Sequence, residues 1–300
     1  MFQKYRYHFL LHLIIFLWGF TGIIGKLLHQ DSFIIVWYRL LIAIASLLLF
    51  IWFRKIRFAV PRSQWIWVVL VGSVVAAHWL TFYYTIQIST ASLAILCLST
   101  TTLHVTWLEP ILMKSKFQMR QLLMSLLVIA GIAFVAKDFN EDERNAVAIG
   151  LVSAFFAALF SVMNAKLSKS VESISLTLLE LCVGLVGITL YLLSIAKPMK
   201  AFELSMNDLL WLLFLGIVCT SFAFLTTIEI VKKLGAFTVS LSINLEPVYT
   251  ILLAIVFLKE NELLSKDFYI GAIIIIGVLI LNGVLSYFER RKKGNRFLTL

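Results

Sequence analysis

The chain has 300 residues, 61% of them hydrophobic and 14% charged, with a mean hydropathy of +0.97. A soluble domain carries roughly 25% charged residues, and a water-exposed protein of this size cannot hide so much apolar side chain, so a soluble fold is excluded and a bilayer is the expected solvent. The formal net charge of +10 points to topology rather than to nucleic acid, because Lys and Arg stand at the ends of apolar runs.

Apolar runs of about 20 residues suffice to cross a membrane. The sequence predicts ten: 8–28, 33–53, 65–86, 91–113, 120–136, 146–167, 173–196, 208–231, 236–258 and 268–287. The first follows a basic start, "MFQKYRYHF", and lacks an A-x-A site, so a retained helix is expected rather than a signal peptide. Lys26 lies near its outer end, suited to a substrate anion or to anchoring the helix, and Trp18 reads equally as packing or belt.

Arg39, in the second run, falls toward the outer leaflet. The third run carries "AAHWLTFYYT". His78 is central and shares a face with Thr81 and Thr85, while Trp79 and Tyr83 share the next. An imidazole beside an aromatic wall suits a cavity for an organic molecule; membrane-interface aromatics are the bland alternative and explain Tyr84 well. The fourth run has a stripe of Ser99, Thr102, Thr106 and Glu109, with Thr101 and His104 on another face. Glu109 lies nearer the cytoplasmic end, where an interfacial acid beside Lys114 and Lys116 is as good a reading as a pathway residue.

The longest connection, "KDFNEDERN", falls at mid-chain. It divides the chain into residues 1–137, an acidic linker 138–145, residues 146–289 and a basic tail 290–300. The halves resemble each other weakly. "TASLAILCLSTTTLHVTWL" aligns with "GAFTVSLSINLEPVYTILL", which sets Glu246 opposite Thr101; "SFIIVWYRLL" aligns with "SISLTLLELC", which sets Arg39 opposite Glu180. Five runs per half require opposite insertion, the inverted-repeat plan of secondary transporters. Arg39 and Glu180 then sit toward opposite leaflets, so each is expected to snorkel or to cap one end of a central passage rather than to pair.

The ninth run poses the sharpest question. Glu246 sits near the bilayer midplane, where an ionisable side chain costs about 2.5 kcal/mol or more and usually faces a cavity or partner. Thr238, Ser242, Glu246 and Thr250 recur at helical spacing, with Tyr249 beside them. Pro247 removes the N–H that would serve the carbonyl of Ile243. The stretch reads as a broken polar wall of an internal site; a kinked packing helix with a neutral, hydrogen-bonded acid is the alternative.

Basic residues alternate along the loops. Lys4 and Arg6; Arg54, Lys55, Arg57 and Arg62; Lys114, Lys116 and Arg120; Lys166 and Lys169; Lys232 and Lys233; and the tail all fall on one side. The other side holds only Lys137, Arg144, Lys197, Lys200, Lys259 and Lys266. The positive-inside rule places both termini in the cytoplasm. Cys97, Cys182 and Cys219 lie inside apolar runs without metal-ligand or disulfide spacing, and read as packing residues. No metal or cofactor is expected. There is no H-E-x-x-H, G-x-S-x-G or Walker loop, and no enzyme is expected.

"WGFTGIIGK", Arg39, "GSVVAAHWLTFYYTIQISTASLAIL", "GIVCTSFAFLTTIEIVKKLGAFTVSLSINLEPVYTILLAIVFLKENE" and "GAIIIIGVLILN" together resemble the EamA-type branch of the drug/metabolite transporter superfamily. Pro247 and Glu260 stand where the family has them. The first half departs, with Thr102 for a frequent proline and Ser115 for the turn acid. The resemblance implies an all-α membrane protein of ten transmembrane helices in two inverted five-helix repeats around a central cavity, both termini cytoplasmic. It also implies movement of a small organic solute, often export of an amino acid, metabolite or toxic compound. The expected setting is a bacterial cytoplasmic membrane. Expected partners are that solute, lipid and, as a candidate coupling ion, the proton; no nucleic acid is expected, and the oligomeric state stays open. An uncoupled facilitator, a flippase for a lipid-linked solute, and a ligand-binding sensor or scaffold are the alternatives.

Overall fold

The computed structural model describes residues 2–56, 60–114, 116–117, 119–137, 141–234, 239 and 242–297. Ser115 and Thr238 lie outside the described residues. Among the described residues the chain is helical, with no strand. The helices are α1 (Phe2–Leu27), α2 (Ser32–Arg54), α3 (Trp65–Ile88), α4 (Ala91–Ser99), α5 (Thr101–Met113), α6 (Met119–Val135), α7 (Glu141–Leu167), α8 (Ser173–Ser194), α9 (Met206–Leu213), α10 (Ala223–Leu234), α11 (Glu246–Leu258) and α12 (Lys266–Phe297). A π-helical stretch, Phe214–Phe222, joins α9 to α10. Among the described residues eight spans are long and apolar enough to cross a membrane, counting α4 with α5 and α9 through α10 as one span each; α6 and α11 are shorter apolar helices.

The outside of the bundle is apolar. Leu48, Trp52, Val186, Leu190, Leu193, Leu252, Val256 and Ile273 are all exposed. A soluble monomer would not leave so continuous an apolar surface in water; here hydrocarbon is its natural contact. Inside, two main clusters form. Side chains of α2, α3, α8 and the π stretch make the larger, around Leu40, Val71, Tyr83, Leu181 and Leu215. The second joins α4, α6, α7, α11 and α12 around Leu96, Val128, Val147, Ile251 and Ile275. Packing runs mostly between the two halves of the chain: α3 on α7 and α8, α6 on α12, α1 on α10 and α11, α2 on α8 and the π stretch, α4 on α7 and α11. Bare backbone at Gly131 and Gly271 lets α6 and α12 meet closely; a Cβ on Gly271 would lie 2.5 Å from the carbonyl oxygen of Gly131.

Helix ends differ from expectation in two places, and in a third the expected break takes a definite form. The α7 helix begins at Glu141, so most of the acidic connection is its first turn, where Glu141, Asp142 and Glu143 meet the positive end of the helix dipole. The α12 helix runs on to Phe297, through most of the basic tail. The third concerns Pro247, which does not kink a continuous helix. The chain turns at Asn244 and Leu245, and α11 starts afresh at Glu246 with proline in its first turn. There a missing N–H costs no helical bond and the fixed φ suits the helix.

The span 91–113 breaks too, at Thr100, and α5 starts at Thr101. Both half-helices, α5 and α11, are 13 residues long and end on a left-handed lysine, Lys114 at φ 54° and Lys259 at φ 54°. The other left-handed non-glycine residues are Lys55, after α2, and Ala196, after α8. Those two helices also share a cap: Asp31 accepts from the N–H of Ile34, and Glu172 from that of Ser175.

Candidate functional site

Arg39 is the centre of the polar interior. It is 5% exposed, so it does not snorkel. Its guanidinium carbon lies 3.7 Å from the centroid of the Trp79 ring, within cation–π range. Nε donates to Thr220 Oγ1 at 2.9 Å and Nη1 to the Tyr83 hydroxyl at 3.1 Å. These groups come from α2, α3 and the π stretch. Thr220 is where it is because of that stretch: its own hydroxyl bonds back to the carbonyl of Leu215, five residues earlier. Widening the turn there re-aims a side chain, a common use of π-bulges. Gly216 lets the stretch approach α2, since a Cβ there would fall 2.7 Å from Ile42.

Glu246 opens α11, where a carboxylate is favoured by the helix dipole. Among the described residues it forms no ion pair with Arg39. Its side chain is half-buried and makes no hydrogen bond among the described residues. Neighbouring Tyr249 accepts or donates at 3.1 Å with His12 Nδ1 and packs edge-on to Phe16. Ser242 is half-buried two residues before the turn at Asn244.

The other predicted residues divide. Trp79 and Tyr83 join Arg39; both are buried, so they support the guanidinium rather than line an open wall. His78 faces away from this group. Its Nδ1 lies 3.0 Å from Ser153 Oγ and 3.1 Å from the Ser153 carbonyl, while Ser153 Oγ donates to the His78 carbonyl. With Phe82 and Phe160 against the ring, His78 ties α3 to α7. Thr101 bonds back to the carbonyl of Leu98. His104 stands edge-on to Trp107 and Phe155. Glu109 is half-buried near the end of α5. Glu180 is buried and accepts from Asn164 Nδ2 at 3.1 Å; as expected it does not pair with Arg39.

Two concavities lie at the ends of the bundle. One, about 250 Å³, is lined by Gln64, Trp67, Leu112, Met163, Lys166, Leu167 and Ser170. The other, about 530 Å³, is lined by Tyr84, Ile88, Asp142, Asn145, Ala148 and Ile149. Neither reaches Arg39 or Glu246. Two residues of structural weight escaped the chemical reading of the sequence. Thr220 carries no charge, and its only signal was a cluster of small residues in "GIVCTSF". Glu260, noted only for its place, is 2% exposed, and its two oxygens accept from the N–H groups of Ala91 and Ser92 at 2.8 and 3.0 Å. Lys26 donates to the carbonyls of Ile86 and Ser89, so the turn between α3 and α4 is held from both sides.

Apolar spans sheathing a charged, hydrogen-bonded centre define a multi-pass membrane protein. Comparison with known proteins gives its family. The EamA-like transporter family matches residues 6–137 and 144–283, and the chain belongs to it, hence to the drug/metabolite transporter superfamily. An "Uncharacterized transporter" of Archaeoglobus fulgidus is 24% identical over 285 residues, covering 90% of this chain and 94% of that protein. A protein crystal structure superimposes with a TM-score of 0.65 at 18% identity, covering 94% of this chain and 99% of that one; it shares the fold. The protein is a membrane transporter, and its substrate is a small molecule.

Proposed function

We propose that the protein is a secondary transporter that moves a small zwitterionic solute, such as an amino acid or related metabolite, by alternating access of two inverted five-helix repeats. The observation that carries this reading is that two ionisable side chains of opposite sign, Arg39 from the first half and Glu246 from the second, form no ion pair with each other and keep polar atoms unengaged among the described residues. Arg39 Nη2 has no partner among the described residues and suits a carboxylate. The Glu246 side chain makes no hydrogen bond among the described residues and suits an ammonium. A substrate carrying both groups would satisfy both.

The packing supports the repeats. Exchange each element for its counterpart in the other half, and α3 on α7 becomes α1 on α10 and the π stretch. Likewise α4 and α5 on α7 become α11 on α1. The pairs α2 on α8, α6 on α12 and α4 on α11 map onto themselves. The matched lengths of α5 and α11, the shared caps of α2 and α8, and the paired left-handed residues fall at the registers of the two sequence alignments. Both half-helices start inside the membrane, as in the discontinuous helices of transporters whose sites lie at the midplane. The loop charges support cytoplasmic termini and a bacterial cytoplasmic membrane, and the family's habit supports export. Proton coupling through Glu246 fits a half-buried carboxylate without a hydrogen-bond partner among the described residues.

The test begins with a thermal-shift screen of amino acids and amine-bearing metabolites on purified protein, since a ligand of the folded state raises its apparent stability. The best ligand is then used in counterflow with proteoliposomes. Glu246→Gln should abolish or strongly reduce exchange and its pH dependence. Exchange unchanged in rate and pH profile removes Glu246 from the mechanism; tight binding with no flux makes the protein a sensor.

A further inference from the structure

Two oxygens in the interior lack a donor, and they belong to residues that already touch. Asn164, near the end of α7, donates from Nδ2 to Glu180 Oε2 at 3.1 Å. Asn164 Oδ1 and Glu180 Oε1 are buried without any partner among the described residues. Glu180 is 5% exposed. Its own backbone packs closely on α3, where a Cβ on Gly72 would fall 2.7 Å from the Glu180 carbonyl. A buried acceptor without a donor costs about 1–3 kcal/mol, more if charged. Here there are two, on side chains that share a hydrogen bond.

The chemistry of the two groups suggests one remedy. A carboxylate only accepts, whereas a carboxylic acid has one O–H to give. A carboxylic acid and a carboxamide are complementary: each offers one donor and one acceptor, and together they make two hydrogen bonds. We propose that Glu180 and Asn164 form a proton-binding site, in which a proton on Glu180 Oε1 is donated to Asn164 Oδ1 while Asn164 Nδ2 donates to Glu180 Oε2. Loading forms one O–H bond and unloading breaks it; the proton comes from water and returns to it.

The surroundings favour a proton over other cations. The ionisable groups on the helices around the pair are Tyr38, Arg39 and Arg54 on α2, His78, Tyr83 and Tyr84 on α3, His104 and Glu109 on α5, Glu141, Asp142, Glu143, Arg144 and Lys166 on α7, and Cys182 and Tyr191 on α8. None forms an ion pair or hydrogen bond with Glu180, and its only polar partner is Asn164. No side-chain cation neutralises a carboxylate there. A divalent metal would ask for about six oxygens, and the described residues contain no group of three or more His, Cys, Asp or Glu able to hold one. Water has a way near. Met163 and Leu167, which flank Asn164 on its own helix, line the concavity of about 250 Å³, with Lys166 on its wall.

The use of this proton in coupling rests on the transport reading, but the site can be read without substrate or flux. Infrared difference spectra of the reconstituted protein across a pH step should show the C=O stretch of a buried carboxylic acid. Glu180→Gln should remove that band and Glu246→Gln should leave it. Glutamine reproduces the loaded acid, donating to Asn164 Oδ1 and accepting from Nδ2, so this variant should fold. Asn164→Leu keeps the acid and removes its partner, and should shift the band. The melting temperature of the wild type should fall more steeply with rising pH than that of Glu180→Gln, because the folded state holds a proton the unfolded state gives up. A band untouched by Glu180→Gln and Asn164→Leu overturns the proposal, as does stabilisation by sodium at fixed pH that Glu180→Gln abolishes. If the band behaves as expected while vesicles carry no flux, the transport reading falls and the proton site stands.

Discussion

The guanidinium carbon of Arg39 lies over Trp79, 3.7 Å from the ring centroid, in the interior of the bundle. The contact explains how a permanent charge survives there. An aromatic face attracts a cation at small desolvation cost, worth up to about 2 kcal/mol away from water. Tyr83 and Thr220 supply acceptors. None of these acceptors is a carboxylate, so Arg39 stays available to a substrate anion.

Arg39→Lys should therefore not be conservative. Lysine keeps the charge but loses the plane that stacks on Trp79 and the fork that reaches Tyr83 and Thr220 together. We expect ligand affinity to fall at least tenfold, about 1.4 kcal/mol, with the protein still folded. Thermal-shift titration with the ligand from the screen checks this; an affinity equal to wild type would show that only charge matters.

Thr220→Val tests the π stretch. Valine matches threonine in shape, removes the acceptor of Arg39 Nε and frees the carbonyl of Leu215. Losing a hydrogen bond to a charged group costs about 1.5–3 kcal/mol. A lower melting temperature should come with weaker ligand binding. Thr85→Val, which breaks a bond only to its own helix, should lower stability without touching affinity.

Much of this was legible because membrane physics writes large signals. Apolar length located the eight long spans found among the described residues. Arg39, Trp79, Tyr83 and Glu246 stood out as groups hydrocarbon does not tolerate alone. The contacts were not legible. Helical spacing put His78 beside Trp79, but a helix face has two neighbours, and α7 took the imidazole through Ser153. Pro247 signalled a break, yet whether a helix kinks or restarts depends on where the preceding carbonyls find partners; here the turn at Asn244 and Leu245 moved proline into a first turn. The π stretch left no periodic trace, since its small residues fit an α-helix equally well.

His78 yields the opposite prediction from Arg39. Ser153→Ala removes the hydroxyl that bonds the His78 carbonyl but leaves Nδ1 within reach of the Ser153 carbonyl. The expected cost is about 0.5–1.5 kcal/mol, seen as a modest drop in melting temperature with flux and affinity retained. A selective loss of transport in this variant would return His78 to the substrate path.

Glu260 holds two helices together through backbone alone. Its carboxylate takes the free N–H groups of Ala91 and Ser92 at the start of α4, an arrangement in which unpaired donors and helix dipole both favour an anion. Lys26 grips the end of α3 just before it. Glutamine at 260 keeps one acceptor and turns an amine toward a backbone N–H, so Glu260→Gln should lose one strong bond and add a donor–donor clash. We expect about 2–3 kcal/mol of lost stability, more than any surface substitution, read as a lower melting temperature in detergent. Glu262→Gln, on an exposed residue of the same turn, is the control and should melt like the wild type. Equal melting of both variants would mean that the turn between α3 and α4 is held by Lys26 and packing, and that the carboxylate of Glu260 carries no share of the load.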